Sequence, residues 1–279
     1  MFDAPLEPAP PPIIPVECIA CRDGHFMPGR RVVPEETAVS LTYNKASFAV
    51  MMATPSDLVD FAVGFSLTEG IVRAPGDIQE IEIVRHPRGI EARMWLASDR
   101  RDAFDRRRRH LTGAVGCGLC GLESLEAAMR EVTRIKTDAQ LTPAMIAEAL
   151  AALMPAQTLH RETSAVHAAG FWHPTQGLIA AREDVGRHNA LDKLVGALAR
   201  SRQNPDGGVV VLTSRISVEM VQKAAVLGAP VLVAVSAPSA LALRSAEAAG
   251  ITLVAVARRD GFEAFTHTGR IRAWSYSSQ

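Results

Sequence analysis

The sequence predicts an α/β protein: a mainly parallel sheet with helices on both faces in the C-terminal half, plus a smaller N-terminal α+β unit. Three observations lead there. Short, nearly continuous apolar runs rich in β-branched residues recur at 178–181, 209–212, 231–235 and 251–257. Helical patterns at 190–200, 217–227 and 240–249 separate them, an alternation that implies right-handed crossovers and a sheet covered on its faces. The N-terminal half instead pairs strands around short turns. With 279 residues, 48% hydrophobic and 22% charged, the chain can build a sizeable core.

Taken in order, residues 5–15 are proline-rich, and residues 1–30 are expected to form a disordered tail. An α+β unit follows over 31–155. Strands are predicted at 37–43 and 48–52 around Asn44-Lys45. Thr54-Pro55-Ser56-Asp57 then opens a helix with a capping hydroxyl, and Gly70 ends it. A second strand pair, 78–84 and 90–96, turns at Arg88-Gly89. Helices are expected at about 122–136 and 143–153. The α/β unit occupies 156–279.

Formal net charge is zero, so no global field draws the protein to nucleic acid or membrane, and neither is expected as a partner. The uncharged run 224–243 has the length of a membrane span but holds Gly228, Pro230 and Pro238, which favours a helix–turn–strand–turn–helix passage. No signal-peptide pattern opens the chain, and a cytoplasmic location is expected.

All four cysteines fall in two Cys-x-x-Cys pairs. Cys117 and Cys120 lie in Gly116-Cys117-Gly118-Leu119-Cys120-Gly121, just after Arg106, Arg107, Arg108 and Arg109. Glycines let the loop expose sulfur, and guanidinium charge favours the reactive thiolate. Zinc ligation, a redox dithiol and sulfur carriage all use such pairs. Four thiolates could form a structural zinc site, which leaves a zinc-stabilised binding or escort module as the alternative function. Sulfur or redox chemistry is preferred because the pairs lie far apart in sequence, and no resident metal is expected. The same loop satisfies G-x-G-x-x-G, but no strand precedes it and no acid follows at the required distance, so a dinucleotide fold is rejected there.

Ligands of open α/β sheets bind beyond the carboxyl ends of the strands. There the sequence places Arg182-Glu183-Asp184-Val185-Gly186-Arg187-His188-Asn189, then Thr213-Ser214-Arg215, Ser236-Ala237-Pro238-Ser239 and Arg258-Arg259-Asp260. Arg187 and Arg215 are candidate phosphate ligands, with helix N-termini supplying amide donors. Phe265, Thr266, His267, Thr268, Gly269 and Arg270 are expected to complete this rim. His167 and His188 could be bases or ligands, or ordinary structural histidines.

Several stretches together resemble the formate dehydrogenase accessory sulfurtransferase family, FdhD. They include Ser47-Phe48-Ala49-Val50-Met51-Met52-Ala53-Thr54-Pro55, Gly64-Phe65-Ser66-Leu67-Thr68-Glu69-Gly70 and the cysteine loop. Val166-His167-Ala168-Ala169, the run from Arg182 through Asn189-Ala190-Leu191-Asp192-Lys193, and Glu219-Met220-Val221-Gln222-Lys223-Ala224-Ala225 complete the match. The resemblance implies a cytidine-deaminase-like larger subdomain and a homodimer. It implies sulfane sulfur taken from a cysteine desulfurase as a Cys117 persulfide, with Cys120 as partner. The acceptor would be the molybdenum (or tungsten) bis-molybdopterin guanine dinucleotide cofactor destined for formate dehydrogenase, held in part by residues 265–270. The deaminase zinc signature is missing from this chain, which argues against hydrolytic deamination. Ser164-Ala165 and the Cys18/Cys21 pair depart from the family pattern.

Overall fold

A computed structural model describes residues 10–98, 100 and 133–272. The first element is a hairpin of β1 (Ile13–Arg22) and β2 (His25–Pro34), paired from Ile13 opposite Pro34 to Arg22 opposite His25. The proline-rich composition predicts a disordered tail over 1–30, and from Ile13 onward the structure corrects this. Asp23 and Gly24 both adopt positive φ, the geometry of a two-residue hairpin turn. Prolines at 15, 28 and 34 are tolerated because each strand of a two-stranded ribbon has a free edge. Arg31 ties the ribbon to the body by donating from Nη2 to the Thr163 carbonyl at 3.2 Å.

The N-terminal unit holds β3 (Thr37–Tyr43), β4 (Ala46–Ala53), β5 (Ile78–His86) and β6 (Gly89–Leu96), in the order β4-β3-β6-β5. Helix α1 (Leu58–Thr68) covers one face, burying Phe61, Ala62 and Phe65 against Val39, Leu41, Tyr43, Ala92 and Met94. The Tyr43 hydroxyl meets Ser66 Oγ at 2.8 Å, so the polar tip of this core tyrosine is satisfied.

The C-terminal sheet is mixed rather than mainly parallel. Its strands are β7 (His167–His173), β8 (Gly177–Asp184), β9 (Val209–Leu212), β10 (Val231–Ala234), β11 (Thr252–Arg258) and β12 (Gly261–Ala264). The order is β12-β11-β10-β9-β7-β8. Only the central β9, β10 and β11 are mutually parallel. Strand β7 enters antiparallel to both β8 and β9, so the predicted run at 178–181 is the return limb of a hairpin and not a crossover strand. Strand β12 likewise folds back on β11. The structure thus shows a mixed α/β architecture; the deaminase likeness goes no further than the resemblance that suggested it.

Helices do cover both faces. On one side lie α4 (Arg187–Arg200), α5 (Val218–Leu227) and α6 (Ala240–Ala249), packed on Val210, Leu212, Leu232, Ala234, Leu253 and Ala255. On the other, α2 (Pro143–Ala156) sets Ile146, Ala149 and Leu153 against Val209, Val211, Val231, Val233 and Val254. The strict alternation of these buried residues between faces is the two-residue period of a fully covered strand. A short helix, α3 (Thr158–Thr163), links α2 to β7. Residues 133–136, the end of the predicted helix at 122–136, are irregular.

The two units meet where α1 crosses α4. A Cβ on Gly64 would stand 1.7 Å from the Asp192 carbonyl oxygen, and one on Gly196 would stand 1.9 Å from that of Asp60. Only glycine at both positions allows this backbone approach.

Candidate functional site

Strand direction gathers polar residues at one edge of the C-terminal sheet. Strand β8 ends at Asp184 directly opposite His167, where β7 begins. Strands β9, β10 and β11 run out to Thr213, Val235 and Arg258 at the same edge, and α4, α5 and α6 start there. Thr213 accepts from the Ala168 amide at 2.9 Å, pinning the start of β7 to the end of β9.

Beneath this edge lies a buried ion pair. Lys193 Nζ is 2.7 Å from Asp184 Oδ2, with both side chains completely buried. Lys193 also donates to the Thr54 carbonyl at 2.9 Å, and the Thr54 amide returns a bond to Asp184 Oδ2 at 3.0 Å. The other carboxylate oxygen accepts from Gly186 N and from Asn189 Nδ2, which also donates to the Met52 carbonyl. Thr54 Oγ1 accepts from Val185 N, whereas α1 starts after Asp57, which is left-handed and makes no side-chain cap. The expected role of Thr54 as helix cap is therefore corrected: it staples the N-terminal sheet to the edge of the C-terminal one.

Two further networks repeat this theme. Lys223 Nζ contacts both Asp192 oxygens, at 2.7 and 2.9 Å, and Thr68 Oγ1 donates to Asp192 at 2.6 Å. Burial pushes the Asp192 carboxyl up, opposed by the Lys223 charge. Arg182 donates twice to Asp60 Oδ2, at 2.6 and 2.9 Å, and Glu183 caps α3 by accepting from the Leu159 and His160 amides. Much of the long polar motif from Arg182 to Lys193 thus serves as scaffold. Complete burial of Asp184 and Lys193 is what distinguishes them, and a linear sequence shows no such signal.

The residues left at this edge are Arg187, His188 and His167, each half-buried, and the exposed Arg215. Arg187 opens α4 after Gly186, which provides no side-chain cap. Its Nε is buried and meets no hydrogen-bond partner. His188 Nε2 lies 3.4 Å from Glu219 Oε2, and Ser217 Oγ donates to that same oxygen at 2.6 Å. Burial first, then the Arg187 charge, lowers the proton affinity of both His167 and His188. Arg215 is exposed, with Ser214 Oγ donating to its carbonyl at 3.1 Å.

Phe265 to Arg270 lies elsewhere. Because β12 runs back along β11, with Val254 opposite Ala264, the segment returns to the amino end of β11. The Phe265 amide bonds the Leu253 carbonyl at 2.9 Å, and Thr266 Oγ1 donates to the Ile251 carbonyl at 2.7 Å. His267 Nε2 meets the Glu247 carbonyl, Thr268, Gly269 and Arg270 form a 3₁₀ turn, and Arg270 Nη1 donates to the Gly250 carbonyl at 2.6 Å. The expected single rim joining Arg187 and Arg215 to residues 265–270 is therefore split between opposite ends of the sheet. The seven residues of β11 separate them by about 20 Å. Ile135, just after the cysteine-bearing stretch in sequence, bonds the Ala249 carbonyl beside Arg270. Burial and the neighbouring Arg134 charge lower the Arg270 pKa.

Cys117, Cys120 and Arg106 to Arg109 lie outside the described residues. Cys18 and Cys21 are free and exposed. Being three apart on β1, they project to opposite faces of the ribbon and cannot together grip one ion. Among the described residues, no cluster of three or more potential metal ligands occurs, and no helix is long and apolar enough to cross a membrane.

Fold and edge together define a mixed α/β protein of three sheets, stapled by buried ion pairs, with cationic groups at both ends of its largest sheet. The chain belongs to the FdhD/NarQ family, whose family model matches residues 34–272. It is 53% identical over 253 residues to the sulfur carrier protein FdhD of Agrobacterium fabrum, covering 90% of this chain and 93% of that one. It is 51% identical over 257 residues to the protein of that name from Brucella abortus, covering 92% and 96%. A crystal structure described as that of a candidate formate dehydrogenase accessory protein from Desulfotalea psychrophila superposes with TM-score 0.75 at 26% identity, covering 94% of this chain and all of the other.

Proposed function

We propose that this protein is a sulfur carrier serving a formate dehydrogenase. The observation that carries the reading is a thiol pair in a glycine-rich sequence, Cys117 and Cys120, within a chain similar over nine-tenths of its length to proteins named sulfur carriers. The Cys117 thiolate attacks the outer sulfur of a cysteine desulfurase persulfide. The donor thiolate leaves, and Cys117 holds the sulfane sulfur. Cys120 then attacks the inner sulfur of that persulfide, forming a Cys117–Cys120 disulfide and releasing sulfide to the metal of the acceptor. The thiols supply the two electrons that reduce the sulfane sulfur, and a dithiol reductant reopens the disulfide.

The acceptor is the molybdenum or tungsten bis-molybdopterin guanine dinucleotide cofactor, which is cargo rather than a resident group. Residues 265–270 offer an exposed aromatic ring at Phe265 and a guanidinium at Arg270, chemistry suited to a guanine nucleotide. Arg187 and Arg215, at the other edge, suit phosphate. The separation of the two edges matches a cargo with more than one nucleotide arm better than a single small nucleotide. Such a carrier acts in the cytoplasm, as a homodimer.

Activation of cofactor-loaded but inactive formate dehydrogenase tests the reading. Wild-type protein with desulfurase and cysteine restores activity, and Cys117→Ala does not, while still binding cofactor. A Cys117→Ala protein that activates normally refutes the proposal. One stoichiometric zinc with four unreactive thiols would establish the escort module instead.

A further inference from the structure

We propose that the β1–β2 ribbon is an arm exchanged between two copies of this chain. Its face carrying Ile19 and Phe26 packs on the outer face of the second copy's four-stranded sheet, at Val50 and Met52. The inference deepens the homodimer of the carrier reading and rests on it, since it names the surface that joins the copies.

The first ground is apolar surface with nothing upon it. Ile19 stands opposite Pro28 and Cys21 opposite Phe26, so these four side chains share one face of the ribbon. Ile19 is 76% exposed and Phe26 78%. A two-stranded ribbon is marginal by itself and depends on what its faces pack against. Its edges offer less, because Pro15 and Pro28 interrupt the row of amide donors. A partner therefore meets the face and does not add a strand.

The second ground is a matching acceptor on the same chain. Helix α1 covers only the face of the four-stranded sheet that carries Val39, Leu41 and Met94. The opposite face presents Val50 and Met52, both exposed, opposite Ser40 and Ala38. Across that face the exposed Glu82 stands opposite Arg93, and the exposed Glu80 opposite Trp95. On the ribbon, Arg30 stands opposite Glu17, one row from Ile19. Apolar side chains thus meet apolar ones, while the Arg30 guanidinium meets the carboxylates of Glu80 and Glu82.

The third ground says why the occupant is a second copy. Only Glu35 and Glu36 join the ribbon to β3, and the base is tied down. The Glu35 amide bonds the Pro12 carbonyl at 2.9 Å, and Arg31 holds the Thr163 carbonyl. So held, the arm leaves its own apolar face and its own acceptor face bare. Ten residues per strand give a ribbon face about 34 Å long and about 10 Å wide. One such contact buries about 700 Å² in total, short of the about 1,200–2,000 Å² of a stable interface. A two-fold axis makes the contact twice and brings it into that range. A different protein receiving the ribbon would make it once.

Light scattering and sedimentation of the full chain test this. Wild type should be a dimer at micromolar concentration. Ile19→Asp combined with Phe26→Asp on the arm, and Val50→Asp on the acceptor, should each raise the dissociation constant about a hundredfold or more. Met154→Asp places the same charge on an equally exposed residue of α2 and should leave the dimer intact. Both surfaces are solvent-facing in the single chain, so circular dichroism should show the variants folded. Val50→Cys protein labelled with heavy nitrogen, mixed with unlabelled wild type and a short bis-maleimide, should give a peptide pair joining wild-type Cys21 to the new thiol, one heavy and one light. Monomeric wild type, an unweakened dimer in the arm variant, or a Cys21 link found only within one copy would each overturn the inference. Sulfur loading of Cys117 is measured on the same wild-type sample. Normal loading with no ribbon-dependent dimer removes this inference alone; a ribbon-dependent dimer without loading removes the carrier reading alone.

Discussion

Replacing Lys193 by methionine separates scaffold from ligand site more sharply than any other single change. Lys193 Nζ is fully buried, bonds Asp184 at 2.7 Å and supports the Thr54 carbonyl at 2.9 Å. Methionine fills nearly the same volume, so lost packing is a minor effect and lost charge a major one. Asp184 keeps three donors, the amides of Thr54 and Gly186 and the Asn189 side chain, but no countercharge. Removing one partner of a buried ion pair costs about 3–5 kcal/mol. At about 2–4 °C per kcal/mol for a chain of this size, the melting temperature should fall by about 6–20 °C. The double variant Asp184→Asn with Lys193→Met should recover much of that loss, because no uncompensated charge remains. Differential scanning calorimetry reads both. An unchanged melting temperature with loss of nucleotide binding would refute the reasoning and return this pair to the ligand site.

Three further outcomes follow from the same geometry. Gly64→Ala or Gly196→Ala must push α1 and α4 apart, since each Cβ would stand under 2 Å from a carbonyl oxygen; each should cost about 1–3 kcal/mol or more in urea denaturation. His167 and His188 have lowered values in the folded protein, so the stability they permit is complete above about pH 6.5 and is lost as pH falls through their folded values. Histidine ring NMR titrations should show both midpoints below the unfolded value. Arg270→Ala should weaken guanosine diphosphate binding and also destabilise the end of α6, where the Gly250 carbonyl loses its donor, and calorimetry with and without nucleotide resolves the two effects.

The fold is legible in the sequence where local pattern alone decides it. The runs at 209–212 and 240–249 match β9 and α6 end for end, because each is a single uninterrupted pattern bounded by turn residues. The hairpins are harder. Strand β7, with Ala168, Ala169 and Gly170, lacks the β-branched signature, yet its presence changes β8 from a parallel to an antiparallel strand. Asp23-Gly24 is a hairpin signal hidden among prolines. At the site, residue types are readable and their partners are not. Thr54 has the chemistry of a helix cap and is a staple. Asp184 belongs by pattern to a polar rim, yet with Lys193, nine residues further on in a helix, it forms the buried footing of that rim. Residues 265–270 carry ligand-like chemistry, but only the reversal at β12 reveals at which end of the sheet they stand.

Mass spectrometry of the intact protein and its peptides, after incubation with a cysteine desulfurase and cysteine, bears most directly on the central claim. The account predicts the mass of one added sulfur atom on the peptide containing Cys117, removable by a thiol reductant and lost in Cys117→Ser. Protein that gains no sulfur, or gains it equally on the exposed Cys18 and Cys21, would contradict it.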